Sequence, residues 1–282
     1  MKSSLVLRNA RQLPLYVIMS LLAIPFVFPF LWMFSSSLKT PLDIFTYPPA
    51  LIPADPQWNN FVEAFQFQPL GRQFFNSVYI AVIVTVGTLI IASLAGYAFA
   101  RVRFPLRSLL FLLLLLGLMM PAEVTIIPNY LLMGSLNLLN SHVPLIVIPL
   151  FGANAIVGTF LMRQSFLSFP QDLEDAAMLD GLGRFGIYWR IALPLAGPTL
   201  ATVGILTFLS SWNGFIEPLV FLSDRELFTI PLALGNFVDH YGTPLWHLQL
   251  AATTVSVLPV LIVYFFAQRY VINSFINSGL KG

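Results

Sequence analysis

The chain has 282 residues, 9% charged and 57% apolar, with a mean hydropathy of +0.83. A soluble domain carries about 25% charged residues, and a soluble fold of this length could not hide so much apolar surface. The net charge is only +2, so the basic balance reflects scarce charges and excludes a nucleic-acid surface. Cysteine is absent, which excludes disulfides, thiolate metal sites and thiol catalysis and leaves the compartment open. A polytopic all-α membrane protein is the expectation.

Six stretches reach the roughly 20 helical residues needed to cross a bilayer. They lie near 13–38, 74–100, 108–128, 143–162, 195–222 and 248–268. The first follows Lys2, Arg8 and Arg11. It is longer than the roughly 7–15-residue core of a signal peptide and lacks a small-x-small cleavage site, so it reads as a retained anchor. The third opens with the apolar run 109–116 but ends in Pro121, Glu123 and Pro128, so a break is expected there.

Lys2, Arg8, Arg11, Arg101, Arg103, Arg107, Arg163, Arg184, Arg190, Arg269 and Lys281 fall on one side of these spans. Only Lys39, Arg72 and Arg225 fall on the other. Positive charge concentrates in the cytoplasm, which places both termini inside and needs an even number of spans. The expected division is a cytoplasmic N-terminus 1–12, a first helix 13–38, an outer loop 39–70, one membrane domain 71–268 and a cytoplasmic tail 269–282. The outer loop is rich in proline and aromatics, and Asn59 to Phe65 reads as a short interfacial helix. No repeat of 20–50 residues is present.

A polar island, 163–194, interrupts the apolar pattern. Ser168-Phe169-Pro170-Gln171 has the form of a helix start, with an N-cap serine, an early proline and a reach-back glutamine. Asp172, Glu174 and Asp175 crowd the first turns, where the helix dipole favours negative charge. Leu173, Ala176, Ala177 and Asp180 fall at i, i+3, i+4 and i+7 and so are expected on one face. Gly181 and Gly183 should end this helix. A second short helix is expected over 185–191, and Leu193-Pro194 should turn the chain into the fifth span. By themselves these features also fit an amphipathic surface helix with no partner. The run Gly181 to Gly186 fits G-x-G-x-x-G, but it lacks the preceding strand and following acid of a dinucleotide site.

Glu174-Asp175-Ala176-Ala177, Asp180-Gly181 and, nine residues on, Arg190-Ile191-Ala192-Leu193-Pro194 resemble the EAA loop of ABC-importer permeases. Asn76-Ser77, Ser211-Trp212-Asn213, Gln268-Arg269-Tyr270 and the terminal Gly279-Leu280-Lys281-Gly282 extend the likeness over nearly the whole chain. They are similar to carbohydrate-importer permeases, in particular the smaller, six-helix partner of the maltose-type pair. The resemblance implies a type I ABC-importer permease fold with a cytoplasmic coupling helix. It implies a multi-pass protein of a bacterial or archaeal cell membrane, a second permease, two ATP-binding subunits and an extracytoplasmic solute-binding protein. It assigns coupling to Glu174, Asp175, Ala176, Ala177, Asp180, Gly181, Leu193 and Pro194. The family usually has Glu where Asp175 stands, so a contact to an ATPase arginine shifts or passes to Glu174.

No P-loop motif occurs, so ATP hydrolysis is expected in other subunits, with no catalytic residue and no cofactor here. His142, His240 and His247 lie in outer loops without metal spacing and read as solvated. Glu123 and Glu217 are the acids nearest membrane depth, each beside a proline. They are either functional carboxylates or interfacial ones near helix breaks. Thr207, Ser211, Trp212, Asn213 and Glu217 form the most polar patch in a span and are candidate pathway residues. The same groups suit helix–helix hydrogen bonding and an aromatic belt. A self-powered secondary transporter is the alternative; it needs a midplane ion site, for which Glu123 and Glu217 are the candidates. A membrane-embedded enzyme would need converging catalytic groups in the spans, and none stands out. The sequence does not separate a sugar from a polyol or glycerol-phosphate-type solute.

Overall fold

The computed structural model describes residues 2–279, so the terminal Leu280-Lys281-Gly282 signature, and with it the tail charge of Lys281, lies outside the described residues. In chain order the α-helices are α1 (Lys2–Ser37), α2 (Asn59–Phe67), α3 (Leu70–Arg101), α4 (Arg107–Leu116), α5 (Ala122–Ser135), α6 (Val143–Phe151) and α7 (Ala153–Leu167). They continue as α8 (Asp172–Leu179), α9 (Arg184–Ile187), α10 (Leu193–Leu195), α11 (Gly197–Trp212), α12 (Ile216–Phe221), α13 (Ile230–Leu234) and α14 (Trp246–Gly279). Pairing of extended backbone among the described residues is confined to one bridge, Val238 to Pro244.

Among the described residues, four stretches are long and apolar enough to cross a membrane: Pro14–Ser37, Leu70–Arg101, Val143–Leu167 and Trp246–Phe266. Two bent pairs, each counted as one span, give up to six: Arg107–Met119 with Ala122–Ser135 at 97° and Arg184–Leu195 with Gly197–Trp212 at 77°. The third expected span is therefore broken at Pro121, and its second half runs past 128 to Ser135, inside what was expected to be a loop. The fifth differs more. It bends at Ala196 rather than at Leu193-Pro194, and its helix stops at Trp212 instead of reaching 222. The fourth runs beyond 162 to Leu167 and is interrupted at Gly152.

One compact unit comprises Met1–Gln68 with Phe237–Val255. In it, Asn60 Nδ2 donates to the carbonyls of Ser37 (2.9 Å) and Lys39 (3.0 Å), which ties α2 to the end of α1. Lys39 is fully buried, with Nζ 2.6 Å from Ala50 O and 4.3 Å above the Trp32 ring. Burial pushes its ammonium below the ordinary 10.5, and Asp43 offsets that only in part.

The second unit comprises Pro69–Asn236 with Ser256–Gly282. Its core is α3 packed on α7 and α11. Small residues permit the approach: a Cβ on Gly96 would stand 2.6 Å from Met162 Cβ and 2.9 Å from Arg163 N. One on Gly158 would stand 2.9 Å from Ala92 Cβ and 3.0 Å from Val203 Cγ1. Such small-residue contacts drive packing where no hydrophobic effect operates between helices. The segment before α13 is held by the start of α3. Asn76 Nδ2 donates to Glu226 O (2.9 Å) and Phe228 O (3.1 Å), and Ile230 N donates to Ser77 Oγ (2.7 Å).

Candidate coupling loop and membrane cavity

The island folds as α8, α9, a π-helical turn Tyr188–Ala192, and α10. The expected helix over 185–191 is thus α-helical only to Ile187. Ser168 is not the N-cap of α8. Because α7 continues to Leu167, Ser168 closes that helix and its Oγ donates to Ser165 O (2.7 Å). Gln171 takes the N-cap position through its backbone, accepting from Glu174 N (2.9 Å) and Asp175 N (3.1 Å), with no side-chain cap.

The C-terminus of α8 follows the sequence closely. Leu182 N donates to Ala177 O (3.0 Å) and Gly181 N to Met178 O (3.0 Å), with Gly181 at φ +84°. This is the Schellman pattern, which needs a left-handed residue at that point.

The expected shared face divides. Ala177 is buried, whereas Leu173, Ala176 and Asp180 are exposed. The reason is Arg101, the last residue of α3. Its Nε lies 3.3 Å from Glu174 Oε1, with both side chains largely buried. Its Nε and Nη2 donate to Phe166 O (3.0 and 2.6 Å), and Nη2 also donates to Phe169 O (2.6 Å). The guanidinium therefore caps the end of α7, where carbonyls lack helical partners, and draws Glu174 inward. Asp175 is left facing outward, as is Pro194, while Leu193 is half-buried. Arg184 Nη1 donates back to Arg101 O (3.2 Å), and Tyr188 OH meets Ser93 Oγ (2.8 Å) in the core.

A second feature is a cavity of about 660 Å³ in the same unit. It lies where three spans are interrupted, at Met120–Pro121, at Gly152 and at Asn213–Phe215. Non-helical backbone at membrane depth is tolerated where it lines a cavity. Of the candidate pathway residues, Ser211, Asn213 and Glu217 line it. Thr207 is buried beside a separate smaller pocket. Trp212 is buried in the core, stacked on Phe208 (centroids 5.8 Å) and edge-on to Phe74 (5.7 Å), and does not line the cavity. Its indole packs on Phe74 and Phe208, while Ser211 before it and Asn213 after it face the cavity.

Sequence reasoning missed Arg101 as an organising group, having counted it only as a topology charge. It also missed Asn129, Asn154, Phe151 and Phe215 in the cavity wall; Pro149 and Gly152 were the available signal for that break. The histidines need a correction too. His142 is half-buried, hydrogen-bonded to Tyr79 OH and, at 2.6 Å, to Leu227 O, and His247 Nδ1 is buried without a partner. Among the described residues no group of His, Asp or Glu is arranged to hold a metal.

Residues 88–276 match the family described as binding-protein-dependent transport system inner membrane component. The arabinooligosaccharides transport system permease protein of Halalkalibacterium halodurans is 36% identical, over 91% of this chain and 91% of its own. The sulfoquinovosyl glycerol transport system permease protein of Agrobacterium fabrum is 34% identical, over 95% of this chain and 93% of its own. Among solved structures, a bacterial ABC transporter involved in import of the acidic polysaccharide alginate is similar in fold. Its TM-score is 0.79 at 24% identity, covering 93% of this chain and 96% of that one. An all-α membrane permease with broken spans and a helical loop between two of them is the class these observations define. The chain belongs to the binding-protein-dependent transport system inner membrane component family and is a permease subunit of an ABC importer.

Proposed function

We propose that this subunit forms part of the path for a carbohydrate and converts ATP hydrolysis in partner subunits into alternating access. The carrying observation is α8. It is anchored on its inner side by the Arg101–Glu174 contact and offers Leu173, Asp175, Ala176 and Asp180 outward. A helix held rigidly to two membrane helices and bare on its other face suits docking on an ATPase. Asp175 rather than Glu174 presents the free carboxylate to such a partner. Ala176 leaves room for close approach, Gly181 sets the exit, and Leu193 and Pro194 lead the chain back toward α11.

In this reading both termini and the 163–194 loop are cytoplasmic, 71–268 is the permease domain, and 39–70 is extracytoplasmic. A second permease completes the path, two ATP-binding subunits hydrolyse ATP, and a solute-binding protein delivers the substrate. The names of the relatives, two of them glycoside transport permeases, support the carbohydrate class. ATP acts only if it favours one helix arrangement through different contacts in the two states.

The test is reconstitution in liposomes. ATP-dependent sugar uptake should need all partners. Uptake by this chain alone on a sodium or proton gradient would overturn the reading.

A further inference from the structure

The broken-span cavity carries a statement about charge. Glu123 and Glu217 both line it, each in the first turn of a helix that restarts after a break, and no lysine or arginine is among its lining residues. Among the described residues neither carboxylate has an ion pair or hydrogen bond. The neutral polar groups Asn129, Asn154 and Ser211 line the same wall and are also without side-chain hydrogen bonds. Thr229, another lining residue, has its Oγ1 buried with no hydrogen-bond partner. Phe151 and Phe215 add exposed aromatic rings.

Polar groups left open in a membrane bundle serve water or a passing solute. Carboxylates accept hydrogen bonds from neighbouring hydroxyls. They repel an anion, and a low-dielectric wall with charge of one sign intensifies that field.

Resting on the carbohydrate reading above, we infer that this cavity is a solute-contact site for uncharged glycans. It selects against phosphorylated, sulfonated or uronic-acid solutes through Glu123 and Glu217. This distinguishes the chain from its relative named for sulfoquinovosyl glycerol, a sulfonate, although the two share most of their length.

The native chain has no cysteine, so a single thiol can report the cavity's field. Asn213→Cys in the assembled transporter is labelled with three thiosulfonate reagents of similar size, bearing a sulfonate, a trimethylammonium or no charge. Rates are divided by those for free cysteine. The cationic reagent should exceed the anionic one by roughly tenfold or more, and adding Glu123→Gln and Glu217→Gln should largely remove the preference. Equal rates for the anionic and neutral reagents, or a thiol that none of them reaches, would overturn the inference. The second arm measures uptake of glucosyl glycerol and sulfoquinovosyl glycerol, which share a skeleton. The double glutamine variant should raise sulfonate uptake relative to neutral uptake, with the binding protein's own preference cancelling between the two transporters. Preferred sulfonate uptake by the unaltered protein would overturn the solute class even with a cation-selective thiol. No ATP-driven uptake of any glycan, with the thiol still cation-selective, would instead strike the carbohydrate reading.

Discussion

Arg101 Nε and Glu174 Oε1 lie 3.3 Å apart, joining the end of α3 to the first turn of α8. The same guanidinium holds the carbonyls of Phe166 and Phe169, so one side chain fixes three segments. Arg101→Met should cost roughly 3 kcal/mol, because it leaves a largely buried carboxylate and the Phe169 carbonyl unpaired. Glu174→Gln keeps the shape and should cost less. Arg101→Lys should not rescue, since an ammonium lacks the planar fork. Thermal unfolding of the purified complex ranks the three. The ratio of sugar imported to ATP hydrolysed should fall for Arg101→Met even at temperatures where the complex is intact.

Gly181 tests the exit of α8 in a different way. A Cβ there meets open space, so Gly181→Ala should cost only the left-handed backbone strain, about 1–2 kcal/mol. Gly183→Ala, also in open space but without positive φ, should be near neutral. Gly181→Trp should leave the chain inserted and sharply lower substrate-stimulated ATPase activity. Full activity with tryptophan would remove this end of α8 from the docking surface.

Gly96 is a packing position. Gly96→Ala should destabilise by about 1–3 kcal/mol, since the new methyl meets the Arg163 backbone at 2.9 Å. Gly71→Ala, with nothing within 4 Å, is the control and should leave the melting temperature unchanged or slightly raised.

Asn76→Ala should loosen the segment before α13 by orphaning the Glu226 and Phe228 carbonyls, at about 1–3 kcal/mol. Hydrogen exchange over 223–230 should speed up while exchange in α7 stays the same.

Topology can be read with thiols as well. Asp55→Cys and Arg184→Cys should label from opposite sides of the membrane. Labelling from the same side would discard the expected orientation.

The six apolar stretches, the Asn59 helix and the Gly181 exit were legible because each rests on local chemistry: hydrophobic length, a periodic face, a residue that tolerates positive φ. The span breaks were half legible. Pro121 announced one, but the stop after Trp212 carries no proline or glycine until Gly214, and the fifth span read as continuous. Ser168 misled because a capping serine looks the same at either end of a tight connection. Glu174 and Trp212 turned the other way from their expected roles for a shared reason. Which face a helix residue presents depends on a partner distant in sequence, Arg101 for one and Phe74 for the other. No pattern within the helix itself encodes that.

The π-helical turn at Tyr188–Ala192 holds one residue more than an α-helix would over the same rise. That surplus sets the angular phase between α9 and α10. Wound as plain α-helix, the same residues would rotate Arg184 by about 100° relative to Leu193. Tyr188 and Arg184 could then not hold Ser93 and the Arg101 carbonyl while Leu193 kept its half-buried place. The spacing between Asp180-Gly181 and Leu193-Pro194 is thus a count that the fold reads as rotation. The wider turn takes up the surplus residue, so α8 is aimed by a locally unwound helix and not by any residue on α8 itself.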